Sequence, residues 1–187
     1  MRSAFLLLAC TAVGIIIQPA VATPGVEPRL ARAEAFIDAF YSFDLPRLRH
    51  AMADAPASMG DTLYYQQWAE AGHYVVLKRQ PCRVAKPDEV VCPVTVKDDL
   101  VPALGSSFHV TDDFHFAFRQ ARIVKVWNSS DDPPEFHQAM EWLHRERPGI
   151  FTGPCRGMWE GGPTPKDCVR AVVKGFGEFT AKARPAL

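Results

Sequence analysis

Asp112 is the carboxylate with the most chemical promise, because residues 108–119 alternate strictly and its parity sets it among phenylalanines. Phe108, Val110, Asp112, Phe114, Phe116 and Phe118 share one face of this predicted strand. His109, Thr111, Asp113, His115, Ala117 and Arg119 share the other. A carboxyl among apolar groups loses hydration, its pKa rises, and it can then exchange a proton near neutral pH. Its place near the strand's beginning gives an equally simple structural account, an escape to water at the sheet edge. Tyr64, Tyr65 and Trp68 cluster on a predicted helix, with Tyr41 on an earlier one, and rings with a polar tip commonly line pockets; Tyr41 or Tyr65 could assist the carboxyl. At helical spacing they also fill cores.

Two histidine clusters offer other chemistry. His109, Asp113 and His115 could support acid–base work, but they fall on the polar side of the strand, which reads as the solvent face. His137, Glu141 and His144 share one stripe of a predicted helix at a spacing able to hold a metal. That stripe flanks the apolar row Phe136, Met140 and Leu143, where an amphipathic helix meets water, so a solvated flank is expected and no metal. Asp98 and Asp99 read as loop acids. No recognisable catalytic motif runs through the chain.

Four cysteines follow the N-terminal segment: Cys82, Cys92, Cys155 and Cys168. Three pairings are open to them. The sequence favours Cys82–Cys92 across the Pro87 turn and Cys155–Cys168 across an irregular segment, because each closes a short local loop. The close paired spacing of a zinc knuckle is missing.

The elements that must position these groups come in two blocks. Helical spacing runs over residues 29–43, with Pro28 in a first-turn position. Asp44 is placed to cap a short second helix, residues 55–60 read as a loop, and Asp61 is placed to cap a third helix ending at Gly72. The period then changes to that of strands over residues 74–84, 89–96, 108–119 and 123–129. A helix over residues 133–147, capped by Asp132, comes next. Residues 150–162 are irregular, and a capping box at residues 164–167 opens the last helix. Helices followed by an antiparallel meander indicate an α+β domain.

The first 22 residues say where the domain works. Arg2, the apolar stretch from Phe5 to Ile17, Pro19 and Ala20-Val21-Ala22 form a secretory signal, with cleavage expected after Ala22. An acylated Cys10 and an uncleaved anchor are weaker alternatives, the stretch being short for a span. Residues 23–187 then form one secreted or periplasmic domain. Twenty-one basic residues balance twenty-one acidic ones, and the leader removes only Arg2, which excludes any electrostatic call for nucleic acid or an anionic membrane. No later stretch reaches the apolar length of a span.

Element order carries a resemblance. A long helix, the step Phe43-Asp44-Leu45-Pro46-Arg47-Leu48, and a meander ending in Phe118-Arg-Gln-Ala-Arg-Ile123-Val resemble the nuclear transport factor 2-like superfamily. SnoaL-like cyclases, ketosteroid isomerases and scytalone dehydratase belong to it. The likeness spans residues 27–130, leaving residues 131–187 as a two-helix C-terminal extension. It implies a curved, cystatin-like antiparallel sheet wrapped around N-terminal helices as a cone. The cone would hold an apolar pocket lined by Phe36, Tyr41, Tyr65, Trp68, Asp112, Phe114 and Phe116 and suited to a small apolar ligand. It implies no cofactor, and a homodimer through the outer sheet is common in the family.

The isomerase mechanism does not transfer. Its two oxyanion donors fall on Phe36 and Phe114, which donate nothing, while Asp61 lies near the base position. The expected function is therefore a non-catalytic ligand-binding or protein-interaction module. The alternative is a dehydratase- or isomerase-type enzyme acting through Asp112 with Tyr41 or Tyr65. In the extension, Trp159 within Gly157-Met-Trp-Glu-Gly-Gly162 reads either as a protein-docking aromatic or as a seal on the open end of the cone.

Overall fold

A computed structural model describes residues 25–158 and 166–183 of the chain. The expected signal segment with its expected cleavage after Ala22, Trp159, and the first half of the residue 164–167 box lie outside the described residues. The rest is an α+β domain: an open antiparallel sheet of five strands with seven helices among the described residues.

α1 (Val26–Phe40) carries Pro28 in its first turn and buries Ala33, Phe36, Ile37 and Phe40, a stripe at spacings of three and four. Its chain reverses through Phe43, and Asp44 caps α2 (Leu45–Ala51) by accepting the Arg47 N–H at 3.0 Å, as expected. α3 (Pro56–Ala71) starts earlier than expected. Residues 55–60 are not a loop, because Pro56 sits at the first helical position where its missing N–H costs nothing. Asp61 is consequently no cap but an exposed residue within the helix. α3 is buried on nearly all sides, from Thr62 to Ala71, as befits a helix enclosed between layers.

The sheet follows. The strand expected over residues 74–84 is two strands, β1 (Val75–Arg79) and β2 (Arg83–Lys86), because Pro81 cannot donate to a ladder. Both pair antiparallel with β3 (Glu89–Lys97). The break is held by α1: the Cys82 N–H donates to Glu34 at 2.9 Å, and Arg79 forms ion pairs with Glu34 and Asp38. After β3 comes a short helix missed in the sequence, α4 (Leu100–Ala103). Asp99 holds its N-cap position without a side-chain bond, and Asp98, one residue earlier and only 8% exposed, accepts from the Leu100 and Val101 N–H groups at 2.7 and 2.9 Å.

β4 (Val110–Arg119) shows the expected alternation: Val110, Asp112, Phe114, Phe116 and Phe118 are buried, and the intervening residues are partly exposed. Phe108 departs from it, lying before the strand and 42% exposed. β5 (Arg122–Ser130) completes the order β1-β3-β4-β5. A bulge at Ala117 and Phe118 shifts the β4–β5 register by one, so that Asp112 stands opposite Ser130.

Among the described residues the C-terminal extension holds three helices and not two, α5 (Pro134–Glu146), α6 (Gly149–Thr152) and α7 (Lys166–Ala183): the start of the segment expected to be irregular winds into the single turn α6 after Pro148. Asp132 does not cap α5; Pro133 holds that position with no side-chain cap. α7 buries Cys168, Val169, Val172 and Phe176 completely and packs against α5, α4 and α3. Gly175 makes that approach possible: a Cβ there would stand 2.3 Å from Leu143 of α5. α1 and α3 cover the inner sheet face with Phe36, Phe40, Phe114 and Phe116 between them.

Both favoured cysteine pairs are bonded, Cys82–Cys92 with Cα atoms 4.2 Å apart and Cys155–Cys168 at 4.6 Å. The first extends the β2–β3 register outward by one pair and pins the sheet edge at its break. Replacing both its cysteines by serine is expected to lower the unfolding free energy by about 3 kcal/mol, the loop-closure value for a short ring. A urea-midpoint shift at unchanged slope would measure this; an unshifted midpoint would mean that the edge is held by Glu34 alone.

Candidate functional site

Asp112 is fully buried, the third residue of β4. Three hydroxyls from different elements meet its carboxyl. Ser130, at the end of β5, donates to Oδ1 at 2.6 Å. Tyr41, just past α1, donates to Oδ2 at 3.3 Å, and Tyr65 of α3 adds a further hydrogen bond. Burial penalises the ionised form more than these donors favour it, and the charge of Asp132 adds to the penalty. The pKa rises from the ordinary 3.8 to about 6.

The surrounding phenols move the same way. Burial, reinforced by the charge of Asp112, holds Tyr41, Tyr65 and Tyr74 well above the usual phenol range, so all three keep their protons. The Trp68 indole N–H donates to Tyr74. The rings of Tyr65 and Tyr74 meet at 90° with centroids 6.4 Å apart.

Over this group lies a cleft of about 250 Å³. α3 contributes Tyr65 and Trp68, the residue before β1 contributes Tyr74, and the end of β5 contributes Asn128, Ser129 and Ser130. The approach to α5 closes it with Asp132 and Phe136. Burial raises the pKa of Asp132, opposed by His137 and reinforced by Asp98 and Asp131. Asp98 is raised mainly by its own burial, against the two N–H groups it caps.

Of the expected pocket residues, the structure gathers Asp112, Tyr41, Tyr65 and Trp68 at this end. Phe36, Phe114 and Phe116 do not line an open pocket. They are 0–1% exposed and pack ring to ring, Phe36 against Phe116 at 4.9 Å and against Phe114 at 6.1 Å. Phe114 also touches Phe40, Tyr41 and Tyr65, so it forms the apolar layer directly behind Asp112. The interior expected to be a pocket is filled with aromatic side chains, and the open space is the cleft at its Asp112 end.

No histidine lines the cleft, although His137 lies close enough to Asp132 and Phe136 to act on them. His115 sits on the other sheet face, near Glu89 at 3.0 Å and Ser129 at 3.3 Å, with its ring stacked on Trp127. His137, Glu141 and His144 are exposed, and His144 stacks on Phe151. No metal-holding group of His, Cys, Asp or Glu occurs among the described residues, and no helix among them is long and apolar enough to cross a membrane.

The lining residues missed in the sequence are Tyr74, Asn128, Ser129, Ser130, Asp132 and Phe136. Ser130 carried a partial signal, being near the strand expected to pair with Asp112, but the bulge that aims it inward has no visible mark in the sequence. Comparison of the chain with known protein families, with curated proteins and with solved structures returned no match.

The buried acid makes stability depend on pH. With its pKa raised to about 6, folded Asp112 holds its proton between about pH 4 and pH 6, where the unfolded chain has released it. The native state then binds more protons, so the unfolding free energy falls as pH rises through that window and stays lower above it. The shift corresponds to about 3 kcal/mol. In urea unfolding at about pH 4 and about pH 7, Asp112→Asn is expected to remove this part of the slope. A variant with the wild-type slope would show that Asp112 titrates as an ordinary acid.

Proposed function

We propose that this chain is an exported ligand-binding domain of nuclear transport factor 2-like type that works without a cofactor and receives a small molecule in the cleft over Asp112. The observation that carries the reading is a fully buried carboxyl tied to Tyr41, Tyr65 and Ser130 beneath a cleft walled by Trp68, Tyr74 and Phe136. Buried polar groups joined in this way hold a site's walls in place, and a concave mixture of aromatic and polar groups is the usual form of a ligand site.

Helices first and meander after, with α1 and α3 packed on one sheet face, support the cone reading. Two disulfides support an oxidising compartment, in agreement with the leader sequence. Asp112 has no exposed surface and its oxygens are engaged by three donors, which favours binding over direct proton transfer to a substrate.

One observation favours a second reading, a dehydratase- or isomerase-type enzyme. A carboxyl titrating near 6 beside protonated phenols is suited to acid–base work. The donors missing at Phe36 and Phe114 have a counterpart two residues before Phe114 on the same sheet face, where Asp112 meets Tyr41. Here Tyr65 or Ser130 would carry the proton between Asp112 and the substrate.

Intact mass of the chain exported with its own leader separates these readings. The expected denatured mass starts at Thr23 and lacks four hydrogens. The native spectrum should carry a small-molecule adduct that Trp68→Phe weakens. Turnover of a small hydroxy-ketone, abolished in Asp112→Asn, would replace the binding reading by the enzymatic one. A bare-chain native mass with no turnover would remove both.

A further inference from the structure

We propose that the group held in this cleft is an organic ammonium, the cationic head of a small amine or quaternary ammonium compound, seated among Trp68, Tyr74 and Phe136 and facing Asp132. The proposal rests on reading the cleft as a ligand site and adds the chemistry of its occupant.

The lining determines that chemistry. It consists of four aromatic side chains, three small polar residues and one carboxylate, with no Lys, Arg or His. Aromatic faces attract a cation through their quadrupole, Trp most strongly, and rings set in different planes can surround it. Tyr65 and Tyr74 stand at right angles, so the wall already turns through two planes. Ser130 spends its proton on ionised Asp112 and offers its oxygen to the cleft as an acceptor. The site is therefore built for a ligand that donates or carries positive charge.

The field around the cleft has the same sign. Asp132 lines it, Asp112 lies behind Ser130, and Asp98 and Asp131 are close enough to repel Asp132. The groups that oppose this field are the imidazoles of His137, toward Asp132, and His109, toward Asp98. A bound cation relieves this repulsion, and an anion would worsen it. A hydrated metal ion would keep its water against aromatic walls and gain little, whereas an alkylammonium carries its charge on an apolar surface that suits them. At about 250 Å³ the cleft lies just below the range of drug-sized sites, roughly 300–1,000 Å³, and so suits a head group.

The probe is choline, titrated calorimetrically against the full exported chain beside its neutral isostere, in which carbon replaces the quaternary nitrogen. Choline is expected to bind about ten-fold more tightly than the isostere. Asp132→Asn should remove most of that preference without changing the isostere's affinity, and Phe136→Ala should weaken both. Circular dichroism identical to wild type keeps the two variants interpretable. Equal affinity for choline and isostere, still lost in Phe136→Ala, would overturn the ammonium assignment and leave the cleft a site for neutral apolar ligands. Binding of neither overturns the assignment as well, while the adduct carried by the exported chain decides separately whether the cleft is a ligand site.

Discussion

A carboxyl with no exposed surface must find hydrogen-bond partners within the protein, and for Asp112 that requirement ties together four remote parts of the chain. Tyr41 lies at the point where α1 ends, Tyr65 in the middle of α3, Ser130 on the last residue of β5, and Asp112 itself on β4. Each element has to stop, turn or slide to deliver its hydroxyl. The bulge in β4–β5 is the clearest instance: its one-residue slip sets Ser130 opposite Asp112, and cross-strand partners share a face, so the Ser130 hydroxyl is the one that reaches the carboxyl. The same convergence leaves the cleft, because the hydroxyls that reach inward to Asp112 belong to residues that also face outward.

The transition from this polar knot to the core is abrupt. Phe114 is two residues from Asp112 on the same face, roughly 7 Å along the strand, and contacts Phe36, Phe40, Tyr41 and Tyr65. Edge-to-face packing of this cluster fills the space between sheet and helices and keeps water from approaching Asp112 from within. Gln66 reinforces the layer by donating to the Ala39 and Phe40 carbonyls at 3.1 and 2.8 Å, closing the end of α1 where it is most buried. Dry on one side and bonded on three others, Asp112 has its charge governed mainly by desolvation.

Those features of the sequence that rest on strong local physics were legible. The alternation of residues 108–119 predicted both the strand, which starts two residues later at Val110, and the inward parity of Asp112, and the pairing of Cys82 with Cys92 followed from a symmetric hairpin. The cap at Asp44 followed from an acid before a proline-led turn. The rest depended on competition between neighbours. Asp61 looked like a cap because Asp is a good one, yet Pro56 starts α3 a turn earlier and leaves Asp61 inside the helix. Asp98 and Asp99 do lie in the loop after β3, as expected, but the burial of Asp98 and its bonds to the Leu100 and Val101 N–H groups were not visible, because a four-residue helix is too short to show a period. The β1–β2 break could have been read from Pro81, whereas the bulge at Ala117 and Phe118 could not. Half the candidate site was therefore within reach, and the half delivered by β5 and the α5 approach was not.

Three of the carboxylates at this end of the fold, Asp98, Asp112 and Asp132, are employed in three different ways, and that division is what leaves a site. Asp98 is spent on two backbone N–H groups, and Asp112 is spent on three hydroxyls. Asp132 alone lines the cleft. Carboxylates brought this close raise one another's cost of ionisation, a liability if stability were the only demand. Moving any of them would relieve it, but Asp98 is needed to start α4 and Asp112 to join α1, α3 and β5. The residual negative potential is thus built into the same contacts that close the fold, and it falls on the one acidic side chain positioned to meet a ligand.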